Sequence, residues 1–172
     1  MKPYSTVSKI LHWVLAFLIL GLIGFGNSIA NMEPSFDNIA RYNQHKIAGL
    51  FALLLIFWRV VERLRTRPGF PGGAEKTWED RLAAIVQTGF YAAMIAMPLS
   101  GWAASSAAGQ NPVLFGVILP GIAPINLELS EILFAAHGVI GKIILGLFAL
   151  HILGLMKRLI QGDMRSMTRM TG

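Results

Sequence analysis

The chain has 172 residues, enough for one compact domain and too few for two. It is 54% apolar and 14% charged, against about 25% charged in an ordinary soluble domain, and this excludes a water-soluble globule because too little polar surface exists to coat one. It has no cysteine, which excludes disulfides, thiolate-held iron–sulfur clusters and covalent attachment of c-type haem.

Charge is absent over long stretches, from Ile10 to Met32 and from Leu82 to Leu127, and Ile132 to Met156 carries only Lys142. A helix crossing the hydrocarbon needs about 20 predominantly apolar residues. The first predicted span covers residues 7–30. It is longer than a signal-peptide core, has no small-residue cleavage site suitably placed after it, and reads as a retained helix. The second covers 42–64, and its uncharged part, Ile47 to Trp58, is short. The connection that follows, Thr66–Thr77, holds Pro68, Gly69, Pro71, Gly72 and Gly73 and reads as a loop. The third span covers 79–104, with Pro98 expected to kink it near its end. The connection Ser105–Leu127 is apolar, contains Pro112, Pro120 and Pro124, and is expected to lie on the membrane surface or cap the bundle. The fourth span covers 129–160 and stops before Gly162. The expected fold is therefore all-α: one domain, residues 1–172, forming an integral membrane four-helix bundle.

The net charge of +6 would suit nucleic acid or anionic lipid. Its placement points instead to membrane topology. Lys2, Lys9, Arg59, Arg63, Arg65, Arg67, Lys76, Arg81, Lys157, Arg158, Arg165 and Arg169 all fall on one side of a four-span arrangement. The other side has Arg41 and Lys46 beside Glu33, Asp37, Glu128 and Glu131. The positive-inside rule puts both termini and the second connection in the cytoplasm.

All four histidines, His12, His45, His137 and His151, fall in spans or at their ends. Ionisable groups in membranes are costly and usually face the bundle interior for a functional reason. A helix-end histidine bonded to backbone or headgroups is the plain alternative for any one of them. Four at matched depths are harder to explain so. His12 opens the first span on the cytoplasmic side, and His45 and His137 open the second and fourth on the outer side. His151 lies fourteen residues beyond His137, about 21 Å deeper at 1.5 Å per residue and within about 40° of the same helix face. Two pairs result, His45 with His137 and His12 with His151. Two histidines without Cys or carboxylate would leave zinc under-coordinated. An iron porphyrin needs only two axial ligands, and bis-histidine ligation suits electron transfer. The metal ligands read from the sequence are thus His12, His45, His137 and His151, holding two non-covalent haems. Met94, Met97 or Met156 are alternative axial ligands, although apolar filling accounts for them more simply.

Gly49 and Gly141 lie one turn beyond His45 and His137, where a missing side chain lets a macrocycle approach the backbone. Gly26 lies fourteen residues after His12, near the depth of the outer pair. Close helix packing through small residues explains these glycines equally well. Arg59 lies fourteen residues after His45, on its face and near the inner pair, where it is expected to bind a haem propionate or to snorkel as a topology-setting cation. Lys142 is about 140° round from His137. A propionate, an acidic side chain or a quinone headgroup would each suit it.

Leu11-His12-Trp13, His45 opening a span that ends in Trp58-Arg59, the run Met97-Pro98-Leu99-Ser100-Gly101, and the His137–His151 spacing together resemble the bacterial cytochrome b561 family in its small four-helix form. The likeness covers nearly the whole chain. It implies a di-haem b-type cytochrome of the bacterial inner membrane that exchanges electrons with quinone, an oxidoreductase whose family includes a superoxide:ubiquinone oxidoreductase. The implied partners are membrane lipid, a quinone such as ubiquinone, and a small-molecule or protein electron donor, with no nucleic acid. A homo-oligomer or a dehydrogenase partner stays open, since related subunits anchor hydrogenases and other dehydrogenases. The remaining alternative is a haem-free transporter using the histidines as a proton relay, against which stands the lack of paired broken helices or an internal repeat.

Overall fold

The computed structural model describes residues 4–32, 35, 38–66 and 78–162. The described residues form four helices, α1 (Thr6–Ala30), α2 (Ile39–Thr66), α3 (Trp78–Ala107) and α4 (Leu127–Ile160). A two-stranded antiparallel hairpin, β1 (Val113–Leu114) and β2 (Val117–Ile118), sits between α3 and α4, with Val113 opposite Ile118. The predicted loop at 67–77, the terminal cations Lys2, Arg165 and Arg169, and the acids Glu33 and Asp37 lie outside the described residues.

Local chemistry sets the helix ends. Ser5 caps α1 by accepting the Ser8 N–H at 3.1 Å, and Asn126 caps α4 by accepting the Leu129 N–H at 2.9 Å. Glu79 and Asp80 open α3, and Lys157 and Arg158 close α4, each sign matched to the helix dipole at that end. The helices exceed the expected spans by one to three residues at several ends. At the end of α3, Ser106 Oγ donates back to the Trp102 carbonyl at 2.9 Å and the Ala108 N–H to Ala104 at 3.0 Å, so the helix runs three residues past Ala104. It also continues through Pro98 as one element.

Three helices, α1, α3 and α4, are long and apolar enough to cross a membrane. With 28 residues, α2 is about 42 Å long at 1.5 Å per residue, but Arg41, Lys46, Arg59, Glu62, Arg63 and Arg65 make it too charged for that description. Its neighbours satisfy much of that charge. Arg59 Nη1 donates to the Ser8 carbonyl of α1 at 2.8 Å, Arg63 donates to Gln87 of α3 at 3.0 Å, and Glu62 accepts from Ser5 Oγ at 2.5 Å. A wide belt of large apolar side chains faces outward, Phe17, Leu54, Ile85 and Leu153 among them, as expected where the solvent is lipid.

Packing is closest between α3 and α4, then α1 with α2 and α2 with α3. At one end α4 is tied to α3 by Lys157–Glu79 at 2.5 Å and Arg158–Asp80 at 3.1 Å, the second pair well shielded. Asp80→Asn should cost about 1–2 kcal/mol. At about 2–4 °C per kcal/mol for a chain of this size, the Tm of the detergent-solubilised protein falls by a few degrees. At the opposite end the α3–α4 connection folds over the bundle as a cap. The Asn43 side chain bonds both backbone groups of Val113 at 2.8 Å, Lys46 reaches the Gln110 carbonyl at 2.8 Å, and Trp102 Nε1 donates to Pro120 at 3.2 Å. This is the cap end, and the end where α1 begins and α4 finishes is the terminal end.

Candidate functional site

The four histidines meet in two pairs. His45 of α2 faces His137 of α4 at the cap end, with ring centroids 6.3 Å apart and planes at 84°. His12 of α1 faces His151 of α4 at the terminal end, with centroids again 6.3 Å apart and planes at 67°. The paired helices, α1 with α4 and α2 with α4, are ones that make at most marginal backbone contact with each other, whereas the tightly packed pairs share no histidine pair.

Each ring is held differently. His137 Nδ1 lies 2.8 Å from the Met97 carbonyl and 3.2 Å from Ser100 Oγ, which itself donates to the same carbonyl at 2.8 Å. A carbonyl only accepts, so the proton sits on Nδ1 and Nε2 keeps its lone pair. A carbonyl partner on the second nitrogen is the usual support of a metal-bound histidine. His45 packs edge-on to Phe25, and its Nδ1 is buried without a hydrogen-bond partner. At the other pair, His151 meets the edge of Phe90, and Arg59 Nη2 approaches His12 Nδ1 at 3.4 Å. Arginine only donates, so His12 accepts there. Arg59 is 7% exposed and is the only charged side chain buried among the described residues.

Two glycines make room for the cap-end rings. A Cβ on Gly101 would fall 2.8 Å from His137 Cε1, and one on Gly26 would fall 2.9 Å from His45 Cε1. Gly101 stood in the sequence only as part of a motif, and helical periodicity on α3 alone could not show that it faces His137. Gly49 has open space around it, and Gly141 lies against the Met97 methyl, where a Cβ would come within 3.2 Å. Gly49 lines an apolar cavity beside the cap-end pair that also receives Ile19, Ile56, Met94 and Met97, so all four helices border it once His137 is included. Lys142 is exposed on the outward side of α4, away from both pairs.

The residues present fit haem. An iron held by two imidazole nitrogens at about 2 Å each, with about 1 Å more from nitrogen to ring centre, puts the centroids roughly 6 Å apart, and both pairs stand at 6.3 Å. The orphaned His45 nitrogen and the ring-sized recesses at Gly26 and Gly101 belong to the same site. Among the described residues no three of His, Cys, Asp and Glu gather as a conventional metal cluster.

The sequence model of one protein family, described as prokaryotic cytochrome b561, matches residues 3–172. No curated protein matches the chain.

Proposed function

The chain belongs to the prokaryotic cytochrome b561 family, as a multi-pass membrane cytochrome with two haems, and we infer that it carries electrons across the bilayer between an external donor and a membrane quinone. The observation that supports this best is the pair of histidine pairs, equal in spacing and about 21 Å apart along α4. When bound, each haem supplies a one-electron couple. His45 and His137 would hold one and His12 and His151 the other. Met97 and Ser100 fix the tautomer of His137, and Gly26 and Gly101 keep its pocket open. To present Nε2 as a neutral ligand, His12 must turn a protonated Nδ1 to an acceptor, and the Ser8 carbonyl one helical turn back is the nearest in sequence. Arg59, which donates to that carbonyl at 2.8 Å and stands 3.4 Å from His12 Nδ1, would be the cation at hand for a propionate of the group held there.

The distribution of Lys and Arg supports the terminal end as cytoplasmic and the cap end as external, in the bacterial inner membrane. Superoxide is one donor consistent with this reading. Two superoxide anions each lose one electron to become dioxygen, and a ubiquinone takes both electrons with two protons to become quinol. Arg41 and Lys46 are the described cations at the cap end that would attract the anion. A second reading, a haem-bearing anchor for a dehydrogenase, draws on Lys142. A lysine exposed to lipid near the middle of a 34-residue span is costly. A carboxylate on a neighbouring transmembrane helix would relieve it.

The test is a reduced-minus-oxidised absorption spectrum of the purified protein with haem counted per chain, followed by addition of a superoxide source and ubiquinone. Sharp b-type bands, two haems per chain and quinol formation by the chain alone are expected. Two haems without turnover favour the anchor reading. A haem-replete preparation lacking the bands leaves a proton relay as the better account.

A further inference from the structure

The cap-end hairpin has no place in this account of the haems, and its chemistry is unusual for a loop. Its turn residues are Phe115 at φ 50° and Gly116 at φ 81°, and Phe115 is the only non-glycine residue with positive φ among the described residues. Two left-handed residues in a two-residue hairpin loop form the type I′ pattern, whose first position favours Asn, Asp or Gly. A phenylalanine there is strained. The strain holds a ring that is 97% exposed, touching almost nothing of its own chain. Val117 and Ile118 beside it are 64% and 68% exposed, and no charged residue occurs from Leu82 to Leu127.

Depth decides what meets this surface. Asn43 holds Val113 through both backbone groups. It precedes His45 by two residues, so the base of the hairpin lies about 3 Å beyond the level of that ligand. Centring ligand levels about 21 Å apart in a hydrocarbon layer of about 30 Å leaves roughly 4–5 Å outside each, so β1 is fixed at the edge of the hydrocarbon. Asn43 also closes the free edge of β1 at Val113, so that position offers no backbone for an added strand and meets the demand that polar backbone be paired at membrane depth. The hairpin has no charge to orient a protein partner, and it continues the apolar belt of the spans.

We propose that the 113–118 hairpin is a membrane wedge, with Phe115, Val117 and Ile118 inserted into the headgroup–acyl boundary of the leaflet at the cap end, so that lipid holds the cap over the His45–His137 pair. The absence of cysteine makes the test clean. Phe115→Cys is labelled with a nitroxide, and the two-haem protein is reconstituted in phosphatidylcholine–phosphatidylglycerol vesicles. Collisions with dissolved oxygen and with a water-soluble nickel chelate are then compared. Glu128→Cys provides the aqueous reference and Leu150→Cys the lipid reference, both residues being exposed. The label at 115 should follow the lipid reference, with nickel collisions roughly fivefold below those at 128. Nickel collisions equal to those at 128 overturn the proposal. Shielding from both reagents overturns it too, since that marks a protein occupant or a second copy. If Phe115→Cys loses its haems, Val117→Cys carries the same comparison.

Discussion

Gly101→Val should leave the protein with one haem per chain in place of two, the lost one being that between His45 and His137. The Cβ it introduces would fall 2.8 Å from His137 Cε1 and 3.0 Å from Nδ1, closer than nonbonded carbons approach. The ring has little freedom to retreat, because Nδ1 is fixed by the Met97 carbonyl at 2.8 Å and Ser100 stands at 3.2 Å. Withdrawing it breaks that bond, at a net cost of about 1 kcal/mol, and turns Nε2 off the line to His45. Gly101→Ala should show the same defect to a smaller extent. Gly138→Ala is the control, since open space surrounds Gly138. Haem per chain by pyridine haemochromogen absorbance reads the result, and two haems in Gly101→Val would show that the ring position is not critical.

Substitutions of the histidines themselves should divide by pair. His12→Ala is expected to remove mainly the terminal-end haem and His45→Ala mainly the cap-end haem, each taking haem from two to one per chain. No other histidine exists to substitute. Met94 and Met97 line the cavity at the cap end, but the Met97 methyl is already packed toward Gly141. Electron transfer across a vesicle membrane should fall at least about a hundredfold in either variant, because the path loses one of its two cofactors. Loss of both haems from every single variant would contradict the pairing, and the difference spectrum distinguishes the outcomes.

The helices and the facing of the histidines were legible in the sequence because both follow from one-dimensional rules: hydrocarbon thickness, charge asymmetry and a rise of 1.5 Å per residue. The glycines were legible only in part. Periodicity puts Gly49 and Gly141 on a histidine's own helix face, yet the close approaches to the rings come from Gly26 and Gly101 on neighbouring helices. Which face meets which neighbour depends on helix rotation, and spacing does not encode it. The hairpin was hidden for a related reason. Its strands have two residues each, too few for an alternation to register, and β1 is held by Asn43, seventy residues earlier in the chain. Arg59 could be placed near the inner depth, but its bond to the Ser8 carbonyl, which ties it to the helix of His12, could not.

One histidine of each pair comes from α4, while the others come from separate helices. A rigid rod carrying both contacts has a single height and a single rotation to choose. The first haem to enter therefore fixes those coordinates for the second, whose arrival costs less ordering. Titrating haem into the empty protein should accordingly give a steeper curve than two independent sites allow. Partly loaded chains should be scarce, with fully loaded and fully empty molecules side by side.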